Sequence, residues 1–313
     1  CRGANSLTEF DRQWPKTVAN IIGTGADVVG FMEMENDGYG ASSAEQFLLD
    51  KLNAAAGAGT YAFINPDLTN GNNSMGADAI KVGIYYKPAK VTPIGNTIAL
   101  SATAFVNTTD GSPRNRVSLI QAFLDIASGS KFVVAVNHLK SKGSACDLPD
   151  QNDGQANCAD VRNKAAQYLV NALATDPTGT GVTDTLIIGD LNSYAKEDSI
   201  TTLKAAGYTD LIDQFTGGEG YGYQFDGQWG YIDHALGSSS ITSKVTGVVE
   251  WHINSDEPTV MDYNVEFKTA SQVSYFYGND QYRSSDHDPV VIGLAFVTPT
   301  PTPTSTATNT STP

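Results

Sequence analysis

Five short polar clusters stand at or beside the carboxyl ends of apolar runs: Glu33 with Glu35, Asn137-His138, Asp190 with Asn192, Asp233-His234, and Asp286-His287-Asp288. Together they offer carboxylate, amide and imidazole groups and no thiolate. That donor set suits a hard cation such as Mg2+, Mn2+ or Ca2+ better than structural zinc. Side chains leaving the carboxyl ends of strands in an open α/β sheet converge on one rim, where such folds place their sites. Singly, each cluster has an ordinary reading. A Glu33/Glu35 pair is often a solvated strand end, and Asp190 and Asn192 are turn-forming types. Asp286-His287-Asp288-Pro289 marks the break before a strand whose first residue is proline. Only their number and shared setting point to chemistry.

That chemistry depends on the elements that deliver these groups to one place. Ser6 and Glu9 stand at capping-box spacing and open an amphipathic stretch to about Ile22, in which Pro15 predicts a kink or a second start. Asp27–Glu33 is a short apolar run ending in an acid, as a buried strand would be. Residues 43–56 are helical by pattern and stop at Gly57. Strands are predicted over residues 80–86, 117–126, 131–137 and 185–188, with Ser128-Gly129-Ser130 as a hairpin connection. Helices are predicted over 160–175 and 199–206, and a last strand over 289–296. Helices and strands interleave, with several direct strand–strand links, which predicts an α/β sandwich with mixed sheets. No internal repeat is present.

The 313 residues are 40% hydrophobic, enough for a substantial core. No run of about 18 apolar residues could span a bilayer, and no basic, apolar leader precedes residue 1, so any targeting signal is expected outside this chain. A net charge of -15, from 34 acidic and 19 basic residues, sets up a field that repels polyanions. A bound metal and a few Lys and Arg could reverse that sign locally, so charge alone does not decide the partner. Cys146 and Cys158 flank a polar, Gly- and Pro-bearing loop with no His or third Cys at ligand spacing. A loop-closing disulfide is therefore expected, and with it an oxidising compartment; Cys1 is left over. Residues 1–297 read as one domain. Residues 298–313 are a Pro/Thr-rich linker, extended like a spacer or stalk, which implies further modules.

Residues 27–33, Asn137-His138, Gly189-Asp190-Leu191-Asn192, Tyr231-Ile232-Asp233 and Ser285-Asp286-His287 occur in the order seen in the endonuclease/exonuclease/phosphatase superfamily, which the chain resembles over nearly its whole length up to the tail. Residues 32–37, 138–143 and the Cys146/Cys158 loop resemble the extracellular nucleases of the ExeM/NucH type. The resemblance implies a DNase I-like four-layer α/β sandwich with two mixed sheets. It also implies an N-terminal strand, bearing an Asn of the metal site, that is missing ahead of Ser6; its loss would expose a sheet edge. Carried over by position, Glu33 becomes the Mg2+ ligand (Mn2+ or Ca2+ being alternatives), with Asp286 on the metal side. Asp190 would hold or deprotonate the attacking water, and Asn192 would fix that residue or bind phosphate. His287 would face the scissile phosphate, oriented by Asp233, and His138 would donate to a phosphoryl oxygen.

Beside these, Lys140 and Lys142 are the expected phosphate contacts because they neighbour His138. Arg116 is a further candidate, and Arg114 reads as surface charge. His234 and His252 have no supporting pattern and read as structural, and Tyr85 and Tyr86 as sheet packing. The implied activity is a secreted, metal-dependent phosphodiesterase with DNA as first-choice substrate. Its rivals are a sphingomyelinase-like or other small-phosphodiester hydrolase using the same centre, and an inactive surface binding module, since loops rather than the metal motifs set the substrate.

Overall fold

Ser6 opens the first helix, α1 (Leu7–Thr24), by accepting from the Glu9 N–H at 3.3 Å. The predicted capping box is only half made: the Glu9 carboxylate accepts from the backbone N–H of Asn5 and, across the molecule, from that of Val265. Pro15 lies inside α1, which runs on as one element, so the predicted second start does not occur. Proline removes one i→i−4 bond, and a long helix held by its packed face survives that loss.

The computed structural model describes residues 3–102 and 115–296; Cys1, Arg114 and the Pro/Thr-rich tail lie outside the described residues. After α1 come β1 (Val28–Glu35), α2 (Ala44–Ala56), β2 (Ala62–Phe63), α3 (Asp67–Asn70), β3 (Ile80–Tyr86) and β4 (Val91–Leu100). Then follow β5 (Ser118–Asp125), β6 (Lys131–His138), α4 (Ala159–Leu173), β7 (Thr185–Asp190), α5 (Asp198–Ala205), β8 (Thr209–Asp210) and α6 (Leu211–Thr216). The chain ends in β9 (Tyr223–Phe225), β10 (Gln228–Gly230), β11 (Asp233–Gly237), α7 (Ser239–Thr242), β12 (Val245–Glu250), α8 (Ala270–Tyr275) and β13 (Val290–Leu294).

One sheet has six strands in the order β4-β5-β6-β7-β11-β8, and only β6 and β7 run parallel. A parallel pair needs a crossover, and α4 supplies it. Facing this sheet are two smaller antiparallel pieces, β1-β3-β2 and β12-β13. The expected pair of mixed sheets is thus one mixed sheet opposed by antiparallel ones. Among the described residues β1 pairs only with β3, and β13 only with β12. Both are half-exposed along most of their length, whereas β3, with a neighbour on each side, is buried.

Period-2 alternation divides the core. Leu119, Phe123, Val134, Val136 and Leu186 point into the space between the sheets, where they meet Val82, Ile84 and Ile292. Ile120, Ala122, Val133, Ala135 and Ile187 point the other way and are covered by Ala165 and Leu169 of α4 and Ile200 and Leu203 of α5. On the far side, Val18 and Ile21 of α1 and Leu48 and Leu52 of α2 cover Tyr85 and Val29. The result is four layers, helix–sheet–sheet–helix. No helix among the described residues is long and apolar enough to cross a membrane.

Cys146 and Cys158 form a disulfide that closes the loop ahead of α4. Replacing both by serine should lower the unfolding free energy by about 3 kcal/mol in the chain-entropy account. The loss would be read as a lower urea midpoint at unchanged slope; an unmoved midpoint would show that the loop's packing alone holds it.

Candidate active site

The sheet register sets three of the expected groups in one row. His138 ends β6 and Asp190 ends β7, and these two residues are direct partners across the parallel pair. Asp233 begins β11 and faces Asp190 from the other side. By alternation all three share the face of Val136, Ile188 and Ala235, and so point between the sheets. His138 Nε2 lies 3.4 Å from Asp190 Oδ2. Gly189 makes this close row feasible: at φ +116°, a Cβ there would sit 2.1 Å from the Asn137 carbonyl oxygen, so only glycine fits.

Asn192 follows in the left-handed region (φ 48°), which asparagine tolerates better than most residues. Its backbone N–H donates to Asp190 Oδ1 at 2.7 Å and its amide to Asp190 Oδ2 at 2.9 Å. The same amide donates to the Leu139 carbonyl at 3.0 Å, tying the exits of β6 and β7 together. Asn192 therefore aims the Asp190 carboxylate and has no amide hydrogen directed at substrate. Burial, and then the neighbouring Asp233 charge, push the Asp190 carboxyl up to about 7, against the pull of His287 and the Asn192 N–H.

The opposing layer contributes the rest. Between Phe31 and Met34 the pairing of β1 with β3 slips, and Glu33 takes φ 64°. A bulge of this kind re-aims a side chain at a cost of about 1–3 kcal/mol in backbone strain. Here it brings Glu33 Oε1 to 4.0 Å from His138 Nε2. His287, just ahead of β13, bonds through Nδ1 to Asp233 Oδ2 at 2.5 Å. Burial disfavours its charge, but Asp233, Asp190 and Asp286 outweigh that and raise His287 to about 10. His138 goes the other way: burial, then the Arg116, His287 and Lys140 charges, lower it to about 3. An imidazolium against Asp233 and a neutral imidazole against Asp190 thus flank the buried carboxylate pair.

Among the described residues no three His, Cys, Asp or Glu side chains converge as a closed metal cage. What converges is an open pair of hard oxygen donors, Glu33 and Asp190, both within 4.0 Å of one ring nitrogen. Asp286, the residue before His287, is exposed and adds its charge to the field on that ring. Mg2+ is commonly held in this way, by one or two carboxylates with waters and substrate phosphate filling its octahedron. The residues fit such an ion.

The basic candidates divide. Arg116 belongs to the site: its Nη1 lies 3.3 Å from His138 Nε2, and its Nε lies 3.1 Å from Asp78. Lys140 hydrogen-bonds the hydroxyls of Ser141 and Ser144 at 3.2 and 3.1 Å. Lys142 is ion-paired with Glu197 and sits 5.0 Å over the Tyr194 ring, so it anchors a loop rather than waiting for phosphate. Sequence reasoning missed Arg162, which is fully buried. It donates to Ser193 Oγ (3.0 Å), to the carbonyls of Lys140 (3.2 Å), Asn157 (2.7 Å) and Gln155 (2.8 Å), and to Glu197 (3.3 Å). It thereby joins the disulfide loop to the segments that carry Lys140 and Asn192. No pattern signals it, because a buried arginine is recognised only by its partners. His234 bonds the Ser193 carbonyl at 2.8 Å and His252 bonds Asp288 at 3.0 Å, both as structural groups.

The sequence profile of the endonuclease/exonuclease/phosphatase family matches residues 1–287, and the chain belongs to that family. It is a hydrolase of phosphoester bonds. No curated protein matches it significantly. Among solved structures it resembles a mannosyl-6-phosphatase of Bacteroides thetaiotaomicron, with TM-score 0.61 and 16% identity over 94% of this chain and 97% of that one. It also resembles D. rerio TDP2 complexed with a single-strand DNA product, with TM-score 0.53 and 17% identity over 92% and 93%. The cyclic phosphatase ANGEL2 gives TM-score 0.55 and 13% identity over 90% and 86%. At these identities the likeness is one of fold.

An NMR titration from pH 5 to 9 should find His287 protonated and His138 neutral throughout. Because His287 is raised above its unfolded value, its ion pair stabilises fully below about pH 6.5 and is lost as pH rises through about 10. Asp233→Asn should bring the His287 titration down into the observed window. A His287 that titrates near 6.5 in the parent protein would contradict the assignment.

Proposed function

We propose that this chain is a divalent-metal-dependent phosphodiesterase, an endonuclease acting on DNA outside the cell. The observation that carries this reading is the His138–Asp190–Asp233 row, closed by His287 from the opposing layer. In-line attack on a phosphodiester needs an oriented water, positive charge at the phosphate and donors to its equatorial oxygens. Asp190, raised to about 7, suits a base that orients the water and accepts its proton near neutral pH. Asn192 keeps both carboxylate oxygens aimed. His287, with Nδ1 occupied by Asp233, turns Nε2 to the phosphate as a charged donor. His138, kept neutral beside Arg116 and the Asp190 and Glu33 carboxylates, is the second imidazole at the phosphate. Mg2+, or Mn2+ or Ca2+ in its place, would be held by Glu33 with Asp286 on the metal side, and would neutralise charge developing on the phosphate.

The disulfide supports an oxidising, extracellular setting. DNA is favoured over smaller esters because a fold of this kind accommodates a single strand in D. rerio TDP2. The name of the Bacteroides relative makes sugar phosphates the natural counter-substrate.

Plasmid DNA, sphingomyelin, mannose 6-phosphate and bis(p-nitrophenyl) phosphate, each with Mg2+ and then with chelator, separate these readings. DNA cleavage is expected, lost on chelation and reduced about 10^2-fold or more in His287→Ala and Asp190→Asn. Turnover of the lipid or sugar phosphate alone would replace the substrate assignment. Cleavage untouched by chelator would remove the metal.

A further inference from the structure

From the structure we infer that the β9–β10 hairpin is a stacking platform for a nucleobase of the substrate strand, with Phe225 as its outer ring. The inference rests on the phosphodiesterase reading and adds to it a recognition surface.

Tyr223 and Phe225 alternate along β9 and so share one face of the hairpin. Their rings lie 6.4 Å apart and only 9° from parallel. Tyr223 also packs on the His287 ring, with centroids 4.5 Å apart and planes tilted by 37°. A ladder of flat rings thus climbs outward from the imidazolium that faces the phosphate. Its inner member, Tyr223, is half-buried, whereas Phe225 is 64% exposed, an unusual position for a phenylalanine beside a catalytic centre. Gly230 stands directly opposite Tyr223, and a Cβ there would come within 2.9 Å of the Tyr194 ring, so glycine admits a third aromatic to the wall. Lys142 sits over that ring, at the end of the wall nearest the His138 segment.

The hairpin is built to hold this face still. Phe225 pairs with Gln228 across a two-residue loop, Asp226-Gly227, whose φ values of 51° and 75° belong to the tight turn matched to strand twist. The rings of the opposite face pack on one another, although Trp229 is itself 55% exposed. Trp229 meets Tyr221 edge-on at 5.2 Å, and Tyr221 stacks on His252 at 4.1 Å and 4°. It is the Tyr223/Phe225 face that reaches His287, through Tyr223, and leaves Phe225 exposed beyond it.

The chemistry of the occupant follows. A substrate phosphate at His287 carries its neighbouring sugar and base away from the phosphate by about the reach of this ladder. Bases have π-faces of every sequence, and stacking on aromatic side chains is the sequence-tolerant way to hold a single strand. With a net charge of -15 the protein has little general attraction for a polyanion, so uncharged stacking is a binding term that its surface potential does not oppose.

The test uses single-stranded oligonucleotides carrying 2-aminopurine, bound to the full chain with chelator present so that nothing is cleaved. Stacking predicts strong quenching by the parent protein, loss of it in Phe225→Ala and recovery in Phe225→Trp. With Mg2+, the preference in kcat/KM for a base-bearing over an abasic oligonucleotide should fall about tenfold in Phe225→Ala. Quenching without cleavage would uphold the platform while removing the nuclease reading. Cleavage with no quenching, or with quenching and base preference unchanged in Phe225→Ala, would overturn the platform and leave the nuclease reading intact.

Discussion

Everything at this site turns on one unfavourable placement, the Asp190 carboxylate buried directly beside the Asp233 carboxylate on the next strand. Two such groups out of water repel each other, and each loses hydration. The structure answers with hydrogen bonds and charge from several directions. Asn192 gives two N–H donors to Asp190, and His287 gives Asp233 a charged donor. His138, kept neutral by burial and by Arg116, adds no charge of its own. The remaining imbalance is negative and faces Glu33, which is the electrostatic condition for a cation and for a substrate phosphate brought with one.

The fold serves this placement through register. Among the described residues β6 and β7 are the only parallel pair, so their carboxyl ends coincide, and the antiparallel β11 starts where β7 ends. A one-residue slip in any of the three would turn a row member to the outer face, against α4 and α5. Two residues that deviate from regular strand geometry stand at this place for local reasons. Gly189 permits contact with the Asn137 backbone, and the bulge at Glu33 turns a carboxylate inward from the second layer. Strain of this kind is concentrated where chemistry needs it.

Much of the frame was legible before any coordinates. Strand β3 and the cores of β5, β6 and β7 were read from short apolar runs, and α2 from a serine cap and a closing glycine. β4 and everything from β8 to β12 were not. These are short, polar on one side or interrupted by glycine, and pair with strands distant in sequence, so local pattern carries little of what stabilises them. The hairpin of β9 and β10 had its Asp226-Gly227 turn in plain view, yet what its rings face emerges only when His287, some sixty residues on, comes alongside.

The sequence by itself determined the donor types, their order along the chain and their association with strand ends, because apolar periodicity and residue chemistry are local properties. It also determined the disulfide, whose two cysteines close a short polar loop. The tertiary structure alone decided which charges face each other. It set Lys142 against Glu197, made Arg162 the hub behind the loop, made Asn192 the group that aims Asp190, and gave two histidines opposite protonation. Pairing, burial and electrostatic sign are relations between distant residues, and they come into being only when the layers close.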